Sequence, residues 1–185
     1  VKRIEEGTIM DIMQEYKVEP GNVFFLPAGR VHAIGAGCFV AEIQQTSNIT
    51  YRIYDYDRRD ANGNPRELHT ELAKDAIDYT LHDTYRTDYT PEVNKPTHLV
   101  KCQYFETNLL DINEPISRDW TGLDSFVIYI VMEGTLSLVD NNGYEVKANG
   151  ESININQDSV ATTTSGKAIE ESDFFDADST YINCS

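Results

Sequence analysis

The chain has 185 residues, 40% hydrophobic and 25% charged, a make-up that fits a folded globular protein and excludes a disordered one. Its net charge of −16 argues against nucleic acid as a partner, since that needs a clustered basic face, but leaves room for a small anion held by a local arginine. No apolar run approaches the length of a membrane span, and the acid-containing start VKRIEEGTIMDIM is not a secretory leader, so the expected setting is the cytoplasm.

In chain order, Thr8 followed by Asp11 approximates a capping box and predicts a short helix over about residues 8–15. Glu19-Pro20-Gly21 ends it with turn chemistry. Short apolar runs follow at Val23–Leu26, Val31–Ile34, Cys38–Gln45 and Thr50–Tyr54, separated by Gly and Pro, and these predict strands of a sandwich or barrel. Asp55–Pro65 is a polar loop with an Asn-Gly turn. Leu68, Leu72, Ala76 and Ile77 recur at helical spacing within Glu67–Thr80. The polar stretch 83–98 reads as a connection. Beyond it, Leu99–Leu110, Phe126–Met132, Thr135–Val139, Tyr144–Lys147, Ser152–Asn156 and Thr180–Cys184 are strand candidates, with Glu133-Gly134 and Asp140-Asn141-Asn142-Gly143 as turns. Asp158–Asp178 carries only a weak strand signal.

Cys38, Cys102 and Cys184 are scattered and odd in number, as expected of reduced thiols rather than a disulfide framework or a CxxC metal site. His32 sits between Pro27-Ala28-Gly29 and a Gly-rich turn. Residue type alone favours a structural or surface role for it; the other reading is a zinc ligand, which would need about two further protein donors. His69, His82 and His98 have no metal-ligand spacing with it, and His69 is expected half-exposed on the helix. Arg52 is either a solvent-facing arginine paired with Asp55 or Asp57, or a guanidinium in a pocket that stabilises an oxyanion or binds phosphate. If the strand alternates, Tyr51 and Ile53 take the face opposite to Arg52. Glu42 can point inward as part of an ion pair. Lys17, Arg58, Arg59 and Arg66 read as solvated loop charges. No nucleotide-binding or hydrolase motif is present.

The assembled stretch FFLPAGRVHAIGAG with AEIQQTSNITYRIYDYDR closely resembles the short bacterial class of type I phosphomannose isomerases, as do IEEGTIMDIMQEYKVEPGNVF upstream and RELHTELAKDAIDY downstream. The resemblance is dense over about the first eighty residues and looser afterwards, where EGTLSLV and NGES carry it. It implies a mainly β fold of cupin-type jelly-roll barrels: the end of a first, catalytic barrel with helices over 1–82, a connection over 83–98, and a second, smaller barrel over 99–185. It further implies a zinc-dependent aldose–ketose isomerase that interconverts mannose 6-phosphate and fructose 6-phosphate through a cis-enediol. By resemblance His32 matches a zinc ligand and Arg52 the active-site arginine.

Two departures accompany it. The family's Gln-x-His pair and glutamate ligands have no counterpart here and are expected upstream of Val1. The position four before the arginine, often Asp in the family, is Asn48, whose amide cannot act as acid or base. The expectation is therefore a C-terminal portion that is inactive by itself and holds zinc weakly. The alternative is a non-catalytic cupin, a sugar-binding or regulatory module without the metal site. In either case the partner is a small sugar phosphate, with no nucleic acid or membrane.

Overall fold

A computed structural model describes residues 1–148 in full and the backbone of three further strand segments, 152–155, 160–162 and 166–173. It divides into two compact units, Val1–Arg86 (together with 178–185, outside the described residues) and Thr87–Ala177. The strand expected over 180–184, and Cys184 with it, lies outside the described residues.

Among the described residues the second unit holds nine strands: β1 (Pro96–Lys101), β2 (Phe105–Ile112), β3 (Ser117–Asp119), β4 (Val127–Glu133), β5 (Leu136–Val139), β6 (Glu145–Ala148), β7 (Ser152–Ile155), β8 (Val160–Thr162) and β9 (Gly166–Asp173). They form a five-stranded sheet in the order β1-β2-β9-β4-β7 and a four-stranded sheet in the order β3-β8-β5-β6. Every strand pair among the described residues is antiparallel, and from β2 to β9 successive strands alternate between the two sheets except at the β5–β6 hairpin. The mainly β reading therefore holds.

Alternation explains why these segments form sheets. Val127, Tyr129 and Val131 of β4 are buried, while Ile128 and Ile130 between them are only partly so. They pack with Leu110 and Ile112 of β2, Leu136 and Leu138 of β5, and Ala148 of β6 into one core, bordered by Ile116, Trp120, Leu123 and Val146. The 140–143 turn behaves as its composition suggests. Gly143 takes φ +82, its N–H donates to the Asp140 carbonyl, and Asp140 Oδ1 accepts from the N–H groups of Asn142 and Tyr144.

Two differences from expectation stand out here. The single candidate strand Leu99–Leu110 is two strands, β1 and β2, paired with each other around residues 102–104. β9, within the stretch of weakest strand signal, lies between β2 and β4 and pairs with both along most of its length. Ladder hydrogen bonds come from the backbone, so a polar sequence can take a central place when its neighbours supply both ladders.

The first unit contains a one-turn helix α1 (Lys2–Glu5), a 3-10 turn (Ile9–Ile12) and helix α2 (Thr70–Ala76). The helix expected over 8–15 is reduced to that 3-10 turn, because Thr8 makes no side-chain capping bond. The helix expected over 67–80 is shortened to its central seven residues. Residues 13–69 have the apolar runs of strands but form no named strand, only isolated bridges such as Arg59 with Pro65. Strand propensity needs a partner ladder to become a sheet. Ile34, Phe39, Val40 and Ile49 are instead exposed. The unit's core is Ile53 and Ala73, with Ile4, Val31, Tyr51 and Ile77 packed against them.

Candidate functional site

The frame of His32 is built by a turn. The Arg30 N–H donates to the Pro27 carbonyl at 3.1 Å, and Gly29, third in the turn, has φ +86, the sign a type II turn demands there. Gly29 is also pressed against the end of α2. Its carbonyl accepts from the Asp78 N–H, and a Cβ at this position would sit 2.6 Å from the Ala76 carbonyl oxygen and 2.9 Å from the Asp78 nitrogen. The turn then presents the Arg30 carbonyl to His32, whose Nδ1 lies 2.9 Å from it. A carbonyl only accepts, so Nδ1 carries the proton and Nε2 is left with its lone pair in the neutral ring. A backbone carbonyl on one imidazole nitrogen is the arrangement that orients a metal-ligating histidine through the other.

Arg52 is fixed from two sides. Its backbone exchanges two hydrogen bonds with His69: the Arg52 N–H donates to His69 Nδ1 at 3.1 Å, and the His69 N–H donates to the Arg52 carbonyl at 2.7 Å. The imidazole thus accepts through Nδ1, with its proton on Nε2. The alternation expected around Arg52 is present, since Ile53 is buried and Tyr51 packs in the same cluster. The Arg52 side chain is half-buried beside Asp55. Its Nε lies 3.9 Å from Asp55 Oδ1 and, among the described residues, has no hydrogen-bond partner, while Nη1 donates to the Glu67 carbonyl at 3.4 Å.

Asp55 is itself buried and is held by Arg66 in a two-pronged pair, Nε to Oδ2 at 2.7 Å and Nη2 to Oδ1. The Arg66 hydrogen bonds hold the Asp55 carboxyl below its ordinary range against the opposing pull of burial, and the charges of Arg66, Arg52 and Arg58 act in the same direction. Arg66 is exposed, as expected of a loop charge, but its guanidinium is paired with the buried Asp55. Val31, adjacent to His32, packs in the same small core as Tyr51 and Ile53, which flank Arg52. That shared core is what relates the two segments.

Other expectations resolve simply. Glu42 is exposed rather than turned inward, because residues 38–45 form no sheet with an inner face. Asn48 is exposed. Arg59 pairs with Asp57 at 2.9 Å, and Arg58 lies over the Tyr56 ring. His69 is a quarter exposed, and at the N-cap of α2 rather than within the helix. His98 faces Glu106 at 3.8 Å. Cys38 and Cys102 are free thiols. No group of three or more His, Cys, Asp or Glu side chains suited to a metal occurs among the described residues. A zinc centre takes about three protein donors, so His32 alone does not make one. No helix among the described residues is long and apolar enough to cross a membrane.

Asp55 and its partner Arg66 escape a reading by motif because they lie eleven positions apart across a polar loop. The signal available was the Arg-x-x-Asp spacing at the end of an apolar run, where a carboxylate needs a cation to be buried.

No family profile matches the chain. Mannose-6-phosphate isomerase ManA of Bacillus subtilis is 35% identical over 133 residues, 71% of this chain and 42% of that protein. The probable mannose-6-phosphate isomerase GmuF of the same organism is 33% identical over 153 residues, 82% of this chain and 48% of that protein. The chain spans under half the length of these relatives. In three dimensions it resembles the mannose 6-phosphate isomerase of Bacillus subtilis, with TM-score 0.54 and 29% identity over 66% of this chain and 39% of that one. The phosphomannose isomerase of Salmonella typhimurium shares the fold at TM-score 0.51 and 14% identity, over 60% of this chain and 30% of the other. Over the part it spans, the chain is similar in sequence and fold to mannose-6-phosphate isomerases.

Proposed function

We propose that the chain carries part of an aldose–ketose isomerase that interconverts mannose 6-phosphate and fructose 6-phosphate. The carrying observation is the relation to proteins named as such isomerases. A match over 82% of the chain takes in Arg52 wherever it begins. The reaction moves a proton between C1 and C2 through a cis-enediol, on whose oxygens negative charge develops. A half-buried guanidinium held from both sides is suited to stabilising that charge, because its geometry does not have to reorganise as the charge forms. The Asn48 amide neither gains nor loses a proton near neutral pH, so the acid–base group is a residue other than Asn48. His32 is proposed as one ligand of a zinc site whose other ligands lie outside the described residues. A phosphorylated sugar does not cross membranes, which suits a cytoplasmic setting.

The test is turnover and metal content of the full-length protein carrying Arg52→Ala. A fall of roughly 100-fold or more with unchanged zinc is expected; unchanged turnover removes Arg52 from the mechanism. Zinc titration of this chain alone is expected to show weak binding and no turnover. Tight stoichiometric binding with turnover would overturn the single-donor reading.

A second reading, a sugar-binding module without catalysis, draws on one observation: the absence of a three-donor cluster among the described residues. Calorimetry with mannose 6-phosphate on the full-length protein distinguishes it, because binding without isomerisation supports the module alone.

A further inference from the structure

We infer that Asp55 is a positioning residue for Arg52, and that Arg66 is present to keep Asp55 from capturing the Arg52 guanidinium. The inference rests on the reading of Arg52 as the catalytic arginine.

The geometry is asymmetric between two arginines competing for one buried carboxylate. Arg66 takes both Asp55 oxygens, through Nε to Oδ2 and Nη2 to Oδ1. Arg52 reaches the same carboxylate only as a charge, with Nε 3.9 Å from Oδ1 and making no hydrogen bond among the described residues. An Arg-x-x-Asp spacing would let the two side chains close into their own fork. Such a fork would neutralise the guanidinium and occupy the donors an anionic substrate needs. With Arg66 bonded to both oxygens, Asp55 attracts Arg52 as a charge without hydrogen-bonding its Nε. The three groups together keep one net positive charge in a chain whose total is −16. The backbone bonds to His69 complete the restraint, fixing where the Arg52 side chain leaves the chain. Misplacing a group that acts on developing charge by about 1 Å can cost on the order of 100-fold in rate. The signature of this role is therefore a loss in kcat rather than in substrate affinity.

The experiment measures kcat and KM for mannose 6-phosphate isomerisation in the full-length protein with Asp55→Asn, Arg66→Ala, and the pair combined. Each single change is expected to lower kcat about 10- to 100-fold, with KM within about threefold. Arg66→Ala is the distinctive case. Its loss releases Asp55 onto Arg52, so adding Asp55→Asn to it recovers part of the rate. If Arg52→Ala is inactive while Asp55→Asn and Arg66→Ala keep full kcat, the positioning role is wrong and the isomerase reading stands. If Arg52→Ala is itself fully active, the isomerase reading of Arg52 fails first. Should the Asp55 variant not fold, side-chain nitrogen–proton spectra of the unaltered protein decide. The Arg52 Nε–H is expected to exchange with water at least about tenfold more slowly than that of the exposed Arg59, by analogy with buried amides. Equal exchange would show that Arg52 is not held, and would overturn the inference.

Discussion

Thr87–Ala177 and Val1–Arg86 are held together in different ways. In the former, eight buried side chains on four described strands form one continuous cluster, and the ladders around them account for the backbone. In the latter the buried apolar core is Ile53 and Ala73, and much of the remaining restraint is polar: a glycine turn seated on a helix end, an imidazole bonded to the Arg52 backbone, and one carboxylate between two arginines. The residues with chemical potential, His32 and Arg52, lie in the second kind of environment. Periodic apolar packing tolerates exchange of one side chain for another of similar volume, but it does not aim a guanidinium. Specific hydrogen bonds and charges do, at the expense of depending on single atoms.

That contrast is open to direct challenge. The largest effect is expected from Leu110→Ala, which empties a fully buried position and should cost about 2–5 kcal/mol on denaturant unfolding of the strand-rich unit. A loss below about 1 kcal/mol would show that the core is not continuous there. Gly29→Ala is expected to cost about 1–3 kcal/mol through its positive φ. The clash with the Ala76 carbonyl adds to this, and the effect should be confined to residues 1–86 by hydrogen exchange. Protection lost equally in both units would remove the distinction between them.

Acid tests the part that Asp55 plays in the first unit. Asp55 has a depressed folded-state value, so its contribution is present above its unfolded value and is lost as pH falls through the lower folded one. The Asp55 contribution to residues 1–86 should therefore be level through neutrality and decline only in the acid range. Asp55→Asn should remove that part of the decline; an unchanged acid limb in the variant would take Asp55 out of the stability of the unit. The smallest effect is assigned to Phe39→Ser, within about 0.5 kcal/mol, since Phe39 is 95% exposed. A larger loss would show that the exposed apolar run from 34 to 49 is packed in solution.

Several features were readable from residue order alone. Alternation located β4, β5 and β6 closely, and the DNNG turn between the last two, because side-chain period and turn chemistry are local properties. Helical spacing located α2, though its ends were placed three and four residues too far out. The runs between 23 and 54 show the limit of such reading. Their composition states a preference for extended backbone, and the backbone is extended or turning there, yet the sheet did not follow. β9 shows the converse, a polar segment drawn into a central place by two ladders.

The sequence by itself determined the mainly β class, the relation to mannose-6-phosphate isomerases, and the choice of His32 and Arg52 as the residues to examine. These depend on residue identity and on spacing along the chain. Only the tertiary structure decided that Asp55 is buried, that Arg66 rather than Arg52 takes its oxygens, and that the His69 imidazole accepts from the Arg52 backbone. The last two join residues eleven and seventeen positions apart. Which of two arginines wins a carboxylate depends on ångström-scale placement, and neither composition nor period carries that information.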